Sequence, residues 1–151
     1  MIVSEQAKES VLNNLPPGVA ALFALHEIHD ALRRAFERDQ RITNYTKTEK
    51  MLIFRLSEPL RMGELAQALH CLPSNVTALV DQLEAKGLVR REPSPADRRA
   101  KQLVLTEEGM QVRQSLAETA AEIFSEVTGL RGREIDELLN LFSRRQKAAA
   151  E

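Results

Sequence analysis

Between Pro73 and Gly87, Val76, Leu79, Val80 and Leu83 recur at i, i+3, i+4 and i+7. That spacing makes one buried face of a helix. Pro73 or Ser74 can open the helix, since first-turn positions need no proline N–H and a serine oxygen caps free donors. Gly87 can close it in a left-handed turn. Ser74, Asn75, Thr77, Ala78, Asp81 and Gln82 then face outward. Short polar side chains at the start of a helix suit base edges in a DNA major groove. Upstream, Gly63–Leu69 reads as a short amphipathic helix with Leu65, Ala66 and Leu69 inward, and only His70, Cys71 and Leu72 separate the two. Two helices across so tight a turn form a helix-turn-helix.

Beyond Gly87 the chain adds a wing. Leu88–Glu92 and Ala100–Leu105 are strand-like runs, and the segment from Pro93 to Arg99, with two prolines and an aspartate, is a loop. The whole chain carries a net charge of −1, which alone would argue weakly against nucleic acid, but the charge is unevenly placed. Lys86 to Lys101 holds six basic residues (Lys86, Arg90, Arg91, Arg98, Arg99, Lys101) against Glu92 and Asp97, a net of +4. Thr106 to Glu137 holds eight acidic residues against Arg113, Arg131 and Arg133, a net of −5. A basic hairpin on an acidic body is an oriented electrostatic surface.

The flanking sequence is helical. Residues 1–15 are an arm or a short helix ahead of Pro16-Pro17-Gly18. Val19–Gln40 is a long helix with a stripe of Leu22, Leu25, His29, Leu32 and Phe36, broadened by Ile28 and Ala35. Thr46 and Glu49 have capping-box spacing and open a helix bearing Met51, Leu52, Ile53, Phe54 and Leu56. Leu60–Met62 is a candidate third strand. Thr106 caps another helix, with Val112, Leu116, Ala120, Ile123 and Val127 on its apolar face, and Gly129 stops it. A last helix runs from Arg133 to about Arg145, with Ile135, Leu138, Leu139 and Phe142 inward. Apolar stripes outside a compact winged helix need a partner, and a second copy of the chain is the simplest one. At 151 residues the chain is the size of one ordinary domain.

The block from Leu65-Ala66 through Asn75-Val76-Thr77, Val80–Glu84 and Lys86–Arg91, then Asp97-Arg98-Arg99-Ala100 into Leu105-Thr106-Glu107-Glu108-Gly109, resembles the MarR family of bacterial transcription regulators. The close likeness covers roughly residues 46–110. It implies a mainly α (α+β) fold: a winged helix-turn-helix with a small β-hairpin wing and N- and C-terminal dimerisation helices. Residues 46–105 would be the DNA-binding winged helix; 1–45 and 106–151 would be the dimerisation region of the same intertwined domain. The resemblance implies a homodimer on a palindromic operator in double-stranded DNA, acting as a repressor. Ser74, Asn75, Thr77, Ala78 and Gln82 of the recognition helix would meet base edges or phosphates. On the wing, Arg99 would enter the minor groove with Asp97 holding its guanidinium, alongside Arg98 and Lys101. Many members place arginine where this chain has Ala78 and Gln82, so its recognition helix is short of positive charge. A cleft between the dimer helices and the winged helix would take a small aromatic or phenolic effector, with Leu25, His29, Phe36 and Met51 at its walls.

Other chemistries find little footing. Cys71, the single cysteine, excludes an internal disulfide, fits a reducing cytoplasm and occupies an apolar place in the turn. His26 and His29, beside Glu27 and Asp30, are the one candidate metal pair, and two histidines are weak evidence for a site. Tyr45 packs at the start of its helix. No phosphate loop, Gly-x-Ser-x-Gly, His-Glu-x-x-His or Cys-x-x-Cys points to an enzyme, and no cofactor or metal is expected. No apolar run approaches the about 18 residues of a membrane span, and the N-terminus lacks a signal-peptide core. The competing readings are a helical interaction protein without specific DNA binding and a regulator responsive to metal or thiol oxidation. The basic hairpin argues against the first.

Overall fold

The computed structural model describes residues 14–95 and 100–148, with side chains through Arg144. In chain order the elements are α1 (Pro17–Arg38), α2 (Lys47–Arg55), β1 (Leu60–Arg61), α3 (Met62–Ala68), α4 (Pro73–Ala85), β2 (Val89–Pro93), β3 (Lys101–Leu105), α5 (Glu107–Thr128) and α6 (Arg133–Ala148). They fall into two compact units. One is residues 40–120; the other joins the chain before residue 40 to the chain after residue 120. Of the arm or short helix expected over residues 1–15, residues 1–13 lie outside the described residues. Among the described residues no helix is long and apolar enough to cross a membrane.

The 40–120 unit is built around α4. Leu52, Ile53, Leu65, Val76, Val80, Leu83, Val89 and Leu103 are all at most 1% exposed and form its core. Three antiparallel strands in the order β1-β3-β2 cover one side. Leu60 pairs with Leu103 and Val89 with Leu105, so the third strand takes only the two residues Leu60–Arg61. The capping box on α2 forms: Glu49 N–H donates to Thr46 Oγ1 at 3.2 Å, and Thr46 N–H donates to Glu49 Oε2 at 2.7 Å. Glu64 does the same service for α3, accepting from Arg61 N–H at 2.6 Å.

Both ends of the helix-turn-helix are set by left-handed caps. His70, at φ 50°, follows α3; its N–H donates to Gln67 O and the Cys71 N–H to Ala66 O, each at 3.1 Å. Gly87, at φ 73°, follows α4, with Gly87 N–H donating to Glu84 O and Leu88 N–H to Leu83 O, each at 2.9 Å. Both are Schellman closures, which satisfy end carbonyls and turn the chain sharply. A histidine in this conformation is strained where glycine is not.

The junction of β3 and α5 explains why Leu105-Thr106-x-x-Gly109 occurs as a unit. Thr106 Oγ1 donates to Gly87 O at 2.6 Å and accepts from Gly109 N–H at 3.0 Å, while Thr106 N–H donates to Leu88 O at 3.0 Å. A Cβ on Gly109 would lie 2.0 Å from Leu88 O. Only glycine lets the helix start this close to the end of the recognition helix.

The other unit is different in kind. Helix α1 contains no buried residue. Of the expected stripe, Leu22 (66% exposed), Leu25 (53%) and His29 lie open on the single chain, whereas Leu32 and Phe36 are half-buried. In α6, Ile135 and Leu138 are half-buried as expected, but Leu139 and Phe142 are exposed rather than inward. Ile123 of α5 is buried in this unit, and Leu116 of the same helix is buried in the 40–120 unit.

Candidate nucleic-acid interface

Helix α4 turns Val76, Val80 and Leu83 into the core, so its opposite face is fixed. Ser74, Asn75, Thr77, Ala78 and Gln82 are all exposed on that face. Thr77 Oγ1 donates back to Pro73 O at 3.0 Å, which leaves its methyl and one lone-pair region for outside contact. The helix begins at Pro73 with no side-chain cap. Its first-turn N–H groups, bare of acidic side chains, make the N-terminus suitable for a phosphate.

The basic hairpin is less free than its charge count suggests. Arg91 on β2 reaches back to α4, where its guanidinium contacts Glu84 and its Nη2 lies 2.5 Å from Asp81 Oδ1; its N–H also donates to Glu84 Oε1 at 3.1 Å. Arg90 pairs with Glu92 at 3.2 Å. The Gln102 side chain, 9% exposed, donates to the other oxygen of Glu92 at 3.0 Å. That bond, ahead of Arg90, holds the Glu92 carboxyl below the usual carboxylate range despite its partial burial. Lys86 donates to Glu49 Oε1 at 2.7 Å and lies 5.4 Å above the Tyr45 ring. Glu49 is 3% exposed; burial pushes its carboxyl up, but the Lys86 and Thr46 bonds outweigh this and hold it low. Three of the six basic residues, Lys86, Arg90 and Arg91, are therefore already paired with carboxylates of the same unit.

Lys101 is exposed on β3. Ser94, 5% exposed, donates its N–H to Ala100 O at 2.8 Å and closes the base of the loop. Asp97, Arg98 and Arg99 lie outside the described residues, beyond this closure. Sequence reasoning named the wing residues but missed Glu49, Asp81 and Glu84 as the carboxylate partners of Lys86 and Arg91, and Gln102 as the donor to Glu92. Spacings of 37 residues, as for Lys86 and Glu49, carry no local signal.

The expected effector-pocket residues divide between the units. Leu25, His29 and Phe36 belong to one compact unit and Met51 to the other; Phe36 is half-buried and the other three are exposed. A cavity of about 290 Å³ on α1 is lined instead by Leu22, Phe23 and His26. His26 and His29 both lie 3.8 Å from Asp30 carboxylate oxygens, with side chains 70% and 68% exposed. No group of three potential metal ligands occurs among the described residues. Cys71 is half-exposed, and its thiol donates to Leu69 O at 3.3 Å.

Comparison with known proteins agrees with this arrangement. Residues 45–101 match the MarR family profile. The chain is 34% identical over 89 residues to the HTH-type transcriptional regulator PrsX of Escherichia coli, an alignment covering 59% of this chain and 54% of PrsX. The chain thus spans about half the length of that relative. The transcriptional regulator BldR of Sulfolobus solfataricus is 25% identical and superposes with a TM-score of 0.64 over 97% of this chain and 99% of its own. Bordetella bronchiseptica BpsR, 18% identical, shares the fold with a TM-score of 0.62 over 82% of this chain and 91% of its own. The sequence match to the MarR family falls on the helix-turn-helix and wing, and the fold match extends over the flanking helices.

Proposed function

We propose that this chain is a homodimeric transcription regulator that binds double-stranded DNA sequence-specifically, represses from a palindromic operator and is released by a small organic effector. Members of its family are transcription regulators, not enzymes. The observation that carries the reading is the division of labour around α4. An uncharged polar face, Ser74, Asn75, Thr77, Ala78 and Gln82, stands beside a wing whose inner cations are braced by carboxylates. Arg98, Arg99 and Lys101 then supply the outer charge. Such a surface reads bases by hydrogen bonds on the helix and groove shape by arginine on the wing. Asp97 would orient Arg99.

Dimerisation follows from the open apolar faces of α1 and α6, since each Å² left in water costs about 25 cal/mol. Two identical winged helices related by a two-fold axis demand a palindromic site. The effector is argued by analogy: in BpsR, DNA binding is regulated by 6-hydroxynicotinic acid. A ligand releases DNA only through its different affinity for the bound and free conformations, and 2–3 kcal/mol would cut operator affinity about 30- to 150-fold. The test is selection from random duplexes with the purified protein, followed by titration of the winner at two salt concentrations. An enriched inverted repeat bound by a dimer is the expected result. Binding that is weak, unselective and abolished by moderate salt would leave only a helical interaction protein. A reporter fused to the selected site distinguishes repression from activation.

A further inference from the structure

Leu72 is the most exposed large apolar side chain among the described residues, at 68%. Every other leucine of the 40–120 unit is buried or half-buried. Leu72 also occupies the N-cap of α4, where it offers no side-chain hydrogen bond to the first turn. Serine, threonine, aspartate and asparagine favour that position because their oxygens accept from free N–H groups, and leucine is among the least suitable residues there. The position is disfavoured twice, by the missing cap and by apolar surface left in water. Its backbone is nevertheless firmly held. Leu72 O accepts from Asn75 N–H at 3.0 Å and from Val76 N–H at 3.2 Å, and the left-handed turn at His70 fixes the chain just before it. Pro73, Ser74 and Asn75 follow, all exposed, so Leu72 stands at the leading edge of the face read as DNA-contacting.

We propose that Leu72 is a specificity-determining residue that packs against the C5 methyl of a thymine in the major groove. The inference rests on the DNA-binding reading above and adds to it a residue outside the polar set. The thymine methyl is the apolar group that base edges present in that groove, and the N-terminal residues of a recognition helix are the ones that reach base edges. An aliphatic side chain there distinguishes bases by that methyl rather than by hydrogen bonds. Burying one methyl corresponds to about fourfold in affinity per half-site, and so to about 15-fold over two symmetric half-sites.

The test uses the intact protein and the inverted repeat it enriches from random duplexes. Each thymine of the half-site is replaced in turn, in both half-sites, by deoxyuridine, which removes the methyl and leaves base pairing intact. Wild type should lose about 15-fold in affinity at one thymine position. Leu72→Ala and Leu72→Ser should bind the thymine and uracil repeats equally there. Leu72→Ser should melt no lower than wild type, since it restores a cap. Wild type tolerating uracil at every position, or a uracil penalty that survives in either variant, would overturn the proposal. The second result would assign the methyl contact to Thr77 or Ala78. A change from dimer to monomer in Leu72→Ser without DNA would overturn it too, placing Leu72 under a second copy of the chain. Failure to enrich any repeat would instead remove the DNA-binding reading itself, and this inference with it.

Discussion

The two compact units of this chain solve the burial problem in opposite ways. The 40–120 unit closes its own core: nine aliphatic side chains, Ile42 among them, are essentially out of water, and its charged residues Glu49, Lys86 and Arg91 are paired inside the unit. Helix α1 buries nothing, and α6 leaves Leu139, Leu141 and Phe142 in water. A helix whose apolar stripe is open is stable only when something covers it. The winged helix therefore specifies itself, whereas the open apolar side chains of the outer helices call for a covering surface.

The largest effects should come from attacking each strategy at its strongest point. Leu22→Glu combined with Phe142→Glu should weaken the dimer by about 3–6 kcal/mol, the value of two large apolar side chains. Sedimentation would then show a monomer, with the 40–120 unit still folded. If the double variant stayed dimeric, the open faces would not be the interface. Inside the winged helix, Leu52→Ala should cost about 2–5 kcal/mol in folding stability. Gly109→Ala should cost about 1–3 kcal/mol or more, since its methyl must displace the Leu88 carbonyl. Urea melts check both. Loss of dimer without loss of fold in these two variants would reverse the comparison.

This contrast also marks where the sequence is legible. Helix α4, the Thr46/Glu49 capping box, the short strand at Leu60 and the Thr106–Gly109 junction each depend on residues within a few positions of one another, so their pattern is local. The family resemblance rests on the same stretches. The charge brace was not legible: Arg91 and Lys86 count as positive in any sum, and only the folded chain shows which carboxylates neutralise them. Nor does periodicity say what covers an apolar stripe. Leu139 and Phe142 have the spacing of inward residues yet lie exposed, because amphipathicity is a property of one helix and burial a property of two surfaces.

On the DNA side, the braces separate inner from outer cations. Arg99→Ala should weaken operator binding by about tenfold or more, ~1.4 kcal/mol, while leaving the melting temperature unchanged. Asp97→Ala should give a smaller loss of the same kind. Ala78→Arg should raise affinity for any duplex and steepen the salt dependence by about 0.9 per new phosphate contact. An unchanged slope would show that position 78 does not face the backbone. Equal binding by wild type and Arg99→Ala across the salt series would remove the wing from the interface.

The smallest effect concerns the brace at the far end of α4. The Glu49 carboxyl is buried, and its bonds to Lys86 and Thr46 hold it below its usual value of 4.5. A carboxyl whose folded pKa is depressed adds stability above its unfolded pKa, and that contribution is lost as pH falls through the folded pKa. The window is therefore acidic, beginning near 4.5 and extending below it. Lys86→Met removes the charged donor while retaining much of the stem over Tyr45. It should cost about 1 kcal/mol at neutral pH, modest because the Lys86 side chain is 44% exposed and solvent shares its charge. It should also flatten the acid limb of the stability curve, because Glu49 would then titrate closer to its unfolded value. Urea midpoints of wild type and Lys86→Met between pH 3 and pH 7 make the comparison. Parallel acid limbs would mean that the Thr46 bonds alone hold Glu49 ionised, and that the winged helix closes its core without this brace.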